Sequence, residues 1–146
     1  MKQIKNFRGE YYFLSNMYPC TIKVQDLIFL NSESLFQALK FRKNKELVQR
    51  FCGIDGFTAK SLGKKIRLSP TAVKEWNNYR TTAMEKAVRA KFMQNPDLAK
   101  KLLATGDAEL IEENSWNDTF WGTTNNIGQN NLGKILMKIR NELKSK

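Results

Sequence analysis

The stretch Thr21-Ile22-Lys23-Val24-Gln25-Asp26-Leu27-Ile28-Phe29-Leu30-Asn31-Ser32-Glu33-Ser34-Leu35-Phe36-Gln37-Ala38-Leu39-Lys40-Phe41 is where the chain changes character. Two short apolar, β-branched runs flank Gln25-Asp26, which predicts a hairpin even though that turn lacks the glycine of the tightest turns. Asn31 or Ser32 then caps a helix reaching about Phe41. Beyond it the pattern is mostly helical. Asn44 to Cys52 reads as a short amphipathic segment with Gly53 at its C-terminal cap. Thr58 can cap a helix to about Ile66. Ser69-Pro70 is a cap-plus-first-turn signature for a helix running to about Met93. Asn95-Pro96 repeats that signature before Asp97 to Leu103. Ala108 to Ile111 reads as a short strand, and Ser115 to Asn131 as loop. From Asn131, the spacing of Leu132, Ile135, Leu136, Ile139 and Leu143 predicts a last helix. The fold class is mainly α with a small β portion (α+β), expected as one domain over 1–146.

The composition bounds what such a domain can do. The 146 residues carry 25 Lys+Arg against 14 Asp+Glu, a net charge of +11. That excess points to an anionic partner such as nucleic acid, nucleotide or phosphate ester, although an ordinary lysine-rich surface gives the same count. There is no histidine. Ser–His and Cys–His nucleophile pairs and the usual zinc sites are therefore excluded, and no metal or cofactor is expected. Two cysteines, Cys20 and Cys52, make no disulfide framework and read as inert thiols. The N-terminus lacks a signal peptide's apolar stretch, and no apolar run approaches the ~18–20 residues that span a bilayer. The expectation is a cytoplasmic protein with no membrane partner.

Three segments could carry chemistry. In the first helix, Glu33 and Lys40 are seven residues apart, so they lie ~20° apart on one face and ~10 Å apart along the axis, with Gln37 between. A solvated polar stripe has the same pattern. In Trp116-Asn117-Asp118-Thr119-Phe120-Trp121-Gly122 and the Asn/Gly-rich run after it, aromatic planes could stack a base and a helix start could hold an anion. The tryptophans could equally anchor a loop. In Phe7-Arg8-Gly9-Glu10-Tyr11-Tyr12-Phe13-Leu14-Ser15-Asn16, aromatics and polar groups could line a nucleotide site, although composition alone favours an edge strand plus turn.

Taken in order, these segments resemble the NADAR (NAD- and ADP-ribose-associated), or YbiA-like, family. The resemblance runs through Phe7-Arg8-Gly9 and Phe13-Leu14-Ser15-Asn16, then Ser32-Glu33 and Phe36 to Phe41, then Ala59 to Lys64. It continues with Trp76, Met84, Lys91-Phe92, Leu102 to Glu112, Asp118, Phe120-Trp121-Gly122, Asn130, Leu132 to Met137 and Arg140. It implies a compact, mainly helical domain that hydrolyses N-glycosidic bonds, with Glu33 and Lys40 as the catalytic pair. It further implies that Trp76, Asp118, Trp121, Gly122, Asn130 and Gly133 form the pocket. Arg8, Phe13, Ser15, Asn16 and Gln37 are added as substrate-binding candidates. Met17 stands where many members have an aromatic, and Ser34-Leu35 where some have His-Tyr. Both departures bear on substrate choice.

The chemistry agrees. Cleaving a ribosyl C–N bond develops oxocarbenium character that a carboxylate can stabilise. A lysine whose charge is disfavoured can instead form a Schiff base with an opened ribose. The expected partner is an ADP-ribose-containing or other phosphorylated ribosyl substrate. The leading expectation is removal of ADP-ribose from ADP-ribosylated guanine in nucleic acid. An early riboflavin-pathway intermediate is the second substrate class, and a non-catalytic ADP-ribose or nucleic-acid binding module is the third reading. Arg8, Lys64, Arg67 and Arg80 are the candidates for the phosphate.

Overall fold

A computed structural model describes residues 2–146; Met1 lies outside the described residues. The elements run in the order β1 (Gln3–Lys5), a 3-10 helix (Gly9–Leu14), β2 (Ile22–Val24), β3 (Leu27–Phe29), α1 (Ser32–Leu39), α2 (Lys45–Gln49), α3 (Gly56–Lys65), α4 (Pro70–Gln94), α5 (Pro96–Ala104), β4 (Glu109–Ile111) and α6 (Asn131–Lys144). Helices dominate and the strands are short, as expected. Among the described residues no helix is long and apolar enough to cross a membrane.

The chain divides into two compact units. One spans Asn16–Asn95. In it β2 and β3 pair antiparallel with Val24 opposite Leu27, so Gln25-Asp26 is a two-residue turn. Gln25 takes a φ of +56°, the left-handed conformation that a glycine would adopt at less cost. Helix α1 packs against both α3 and α4. Its apolar side, Leu35, Phe36 and Ala38, is buried with Phe41, Phe51, Ala83, Met84, Ala87, Val88 and Phe92.

The caps follow local chemistry. Asn31 accepts the backbone N–H of Ser34 at 2.7 Å, Asn44 that of Leu47 at 3.2 Å, and Ser69 that of Ala72 at 3.1 Å. Helix α3 starts earlier than expected, because the Asp55 carboxylate rather than Thr58 is the cap and accepts the Thr58 N–H at 2.8 Å. Helix α1 ends at Leu39, with Lys40 as its C-cap, because the Lys40 N–H turns to the Gln37 carbonyl at 3.1 Å and tightens the last turn. Asn95 directs its side-chain amide to the carbonyls of Lys91 and Thr21.

The second unit comprises the chain up to Ser15 together with Pro96–Lys146. Here β1 pairs in parallel with β4, Ile4 opposite Leu110. Residues Gly9–Leu14 form a 3-10 helix where an edge strand was expected. Phe13 and Leu14 are both buried, and consecutive residues can share a buried side in a helical turn but not in a half-exposed strand. The α6 stripe of Leu132, Ile135, Leu136 and Ile139 is buried. Arg140 ties α6 to the α5–β4 turn through Thr105 Oγ1 at 2.9 Å and the Ala108 carbonyl at 2.8 Å.

Candidate active site

In the Asn16–Asn95 unit, the first turn of α1 is locked from below. Asn16 accepts the Ser32 hydroxyl at 2.9 Å through Oδ1 and the Glu33 N–H at 3.1 Å through its carbonyl. Its amide also meets the Met84 sulfur at 3.2 Å. The Asn31 amide and the Ser34 hydroxyl both donate to the Ile54 carbonyl, at 3.0 and 3.1 Å. These bonds fix the backbone that carries Glu33, whose residue is only 7% exposed.

Glu33 Oε2 accepts the Gln37 amide at 2.7 Å, one helical turn along. Lys40, a further turn along, donates from Nζ to the Gly63 carbonyl of α3 at 3.1 Å, with its ammonium 5.7 Å from the Phe41 ring centroid. Gly63 serves both halves. Its carbonyl orients the amine, and its missing side chain makes room for Gln37, since a Cβ there would overlap the Gln37 amide. Burial pushes the Lys40 ammonium below the ordinary lysine value. Lys40 and Trp76 line a cleft of about 170 Å³ with Leu47, Leu68 and Ala72. Trp76 is held by Phe36, ring centroids 5.2 Å apart, and by Tyr79 at 6.4 Å. The expected row of Glu33, Gln37 and Lys40 is thus linked through Gln37 and Gly63.

The other unit holds the remaining sequence-derived candidates. Arg8 is exposed, Phe13 is core with Lys101 Nζ 5.8 Å from its ring, and Ser15 is half-buried. Asp118 Oδ1 accepts the N–H groups of Phe120 and Trp121 at 3.2 and 3.0 Å, which shapes the turn presenting Trp121. Trp121 is half-buried and meets Phe120 edge-on at 4.7 Å. At Gly122 a Cβ would run into the Glu112 carbonyl, and at Gly133 into that of Leu110. Asn130 sits in the left-handed region, φ +53°, and its side chain pairs with β4 as a strand would. Its Nδ2 donates to the Leu110 carbonyl and its Oδ1 accepts the Glu112 N–H, both at 2.9 Å. The N–H groups of Asn131 and Leu132 bond to the carbonyls of Phe120 and Trp121, so they hold the loop rather than an anion.

Sequence reasoning assigned no role to Gly63. The available signal was a glycine inside a helical pattern, which costs ~1 kcal/mol relative to alanine and so asks for a packing reason. Cys20 and Cys52 are free thiols that burial pushes above the ordinary cysteine value, which disfavours the thiolate. Among the described residues no group of His, Cys, Asp or Glu could hold a metal ion.

Comparison with known proteins finds relatives along most of the chain. A riboflavin biosynthesis protein of Vibrio vulnificus is 41% identical over 138 residues; the match covers 90% of this chain, which spans only 35% of that longer protein. An N-glycosidase of Nostoc punctiforme is 35% identical over 133 residues, covering 90% of this chain and 85% of its own. The NMR structure of the Escherichia coli protein YbiA superimposes with a TM-score of 0.81 and 31% identity, over 99% of this chain and 88% of that one. The NADAR domain family model matches residues 4–144, across both units, and the chain belongs to that family.

Proposed function

We propose that the protein is an N-glycosidase that cleaves an N-ribosyl bond in a phosphorylated, nucleotide-like substrate, and that this substrate is ADP-ribosylated guanine in nucleic acid. The observation that carries the reading is the state of Lys40. Its amine is partly buried, its charge is disfavoured, and it is oriented by a backbone carbonyl rather than by a carboxylate. About two turns back along the same helix stands the buried Glu33. A neutral amine can add to C1′ of the ring-opened N-riboside. The base then departs with a proton, leaving a lysine imine, and water hydrolyses the imine to release the sugar and restore the amine. Glu33 supplies proton transfer and stabilises positive charge at C1′. The names of the relatives support the reaction class, and the +11 charge supports a polyanionic substrate. The name of the Vibrio relative favours a second reading, an early riboflavin-biosynthesis intermediate.

Incubation with ADP-ribosylated oligonucleotide and, separately, with riboflavin intermediates, read by mass spectrometry, decides between the substrates. Lys40→Arg keeps the positive charge but forms no imine. It should retain binding and lose turnover, and borohydride should trap a sugar adduct on the wild type at Lys40 alone. Substantial turnover by Lys40→Arg, or no trapped adduct during active hydrolysis, refutes the lysine as nucleophile.

A further inference from the structure

We infer that the outward side of α3 is a contact surface for single-stranded nucleic acid. Helix α3 has two faces. Gly56, Ala59 and Gly63 are buried, and Gly63 carries the carbonyl that holds Lys40. On the other side lies an open depression of about 580 Å³. Its lining combines the apolar Ile54, Phe57 and Leu62 with Ser61 and the cationic Arg50 and Lys65. Phe57 is 67% exposed, an unusual position for a large apolar ring on a regular helix. No carboxylate lines the depression.

Four of the cations around it are unengaged. Among the described residues Arg50, Lys64, Lys65 and Arg67 have no side-chain hydrogen bond or ion pair, whereas Lys43, Arg89 and Lys144 are paired with Glu75, Glu85 and Asp107. Between residues 50 and 67 there are five basic residues and one acidic residue, a local charge of +4. Phe57 and Lys65 are eight residues apart, about 12 Å along the helix. An exposed ring beside free cations, in a depression with no carboxylate in its lining, is the chemistry that stacks a base and meets the phosphates on either side of it. A lone nucleotide would be covered on one face only. A strand gains from repeated contacts, and Lys64 and Arg67 extend the positive edge.

The position gives the surface its meaning. The helix is about 10 Å across, so a strand on its outer face runs one helix diameter from Lys40, which is bonded to its inner face. The surface would therefore hold residues flanking a modified nucleotide. This link to substrate choice rests on the N-glycosidase reading; the binding itself does not.

Fluorescence anisotropy with a labelled, unmodified single-stranded 12-mer tests it on the full chain. Wild type should bind at low salt, and Phe57→Ala should weaken binding about tenfold, the loss of one stacked base. Arg50→Gln with Lys65→Gln should weaken it further and reduce the slope of log affinity against log salt by about 1.4, two phosphates on a single strand. Lys100→Gln, an exposed lysine on α5, is the control for net charge and should leave affinity unchanged. Equal affinity of Phe57→Ala and wild type, or equally tight binding of poly-glutamate, overturns the surface. Wild-type turnover of the small ribosyl substrates, measured separately, tells failure of the N-glycosidase reading apart from failure of the surface.

Discussion

Gly63→Ala should change the sign of its effect depending on what stands at position 37. In the wild type a Cβ at residue 63 would lie 2.8 Å from Gln37 Cδ and overlap Oε1. Those atoms are the far end of a flexible side chain, so the clash is relieved by rotating Gln37 away. The rotation costs the bond from Gln37 to Glu33 Oε2, about 1.5–3 kcal/mol for a hydrogen bond to a carboxylate. Against it stands the helix-propensity gain of alanine over glycine in α3, about 1 kcal/mol. The net expectation is a loss of about 0.5–2 kcal/mol. In a Gln37→Ala background the amide is absent, nothing is left to displace, and the same substitution should stabilise by up to about 1 kcal/mol.

Urea unfolding of the four proteins in this cycle reads the coupling directly. If Gly63→Ala has the same sign and size in both backgrounds, the two residues do not share the space described, and the account of Gly63 as the joint between Glu33 and Lys40 fails. Activity adds a second readout. Freed from Gln37, Glu33 should lose its fixed orientation, so turnover should fall more than substrate affinity.

Two other expectations concern residues outside that cycle. Lys91 is 1% exposed, and burial pushes its ammonium from 10.5 down to about 8. The unfolded chain therefore binds more protons between about pH 8 and 10.5, so stability rises with pH across that window and the penalty of burying the charge is fully present below pH 8. The difference between wild type and Lys91→Met should change by about 3 kcal/mol over the window, and parallel stability–pH curves for the two proteins would refute it. Both proteins are compared in a Cys20→Ala background, because the raised Cys20 thiol acts in the opposite direction and is coupled to Lys91. Trp121→Ala should weaken substrate binding by about 1–3 kcal/mol, with a smaller stability loss than the 3–5 kcal/mol of a fully buried tryptophan, because Trp121 is half-buried. Melts and affinities on the same sample check it, and a large fall in melting temperature with unchanged affinity assigns the ring to packing instead.

What the sequence disclosed was local. Asn31 and Ser69-Pro70 announce their helices because a cap acts on an N–H two or three residues away. Thr58 misled because Asp55, three residues earlier, is an equally good cap, and local chemistry does not rank two overlapping candidates. The pairing of Gln3–Lys5 with Glu109–Ile111 joins three-residue strands about a hundred residues apart, and no turn or periodicity in either strand encodes its partner. Residues 7–16 have the composition of a strand, yet the chain turns into a 3-10 helix after Gly9, which takes a φ of +59°. The Glu33–Lys40 face was legible from spacing alone, because helix geometry dictates it. The elements that aim those side chains were not, since the Gly63 carbonyl and the Asn16 amide reach α1 from elsewhere in the chain.

That division also sorts the candidate site residues. Asn16, Asp118 and Asn130 have polar side chains, yet each is engaged with a neighbouring side chain or the backbone of its own unit. Their substitution should first move a turn, a helix start or a strand edge, and affect chemistry only through what that element carries. Lys40, Trp76 and Trp121 present an amine and two aromatic rings, and Lys40 and Trp76 line the same cleft. A candidate residue can thus act by reacting or by holding the backbone behind a reacting group. Stability and turnover measured together separate the two: a holding residue shifts both, whereas a reacting one lowers turnover and leaves the melt in place.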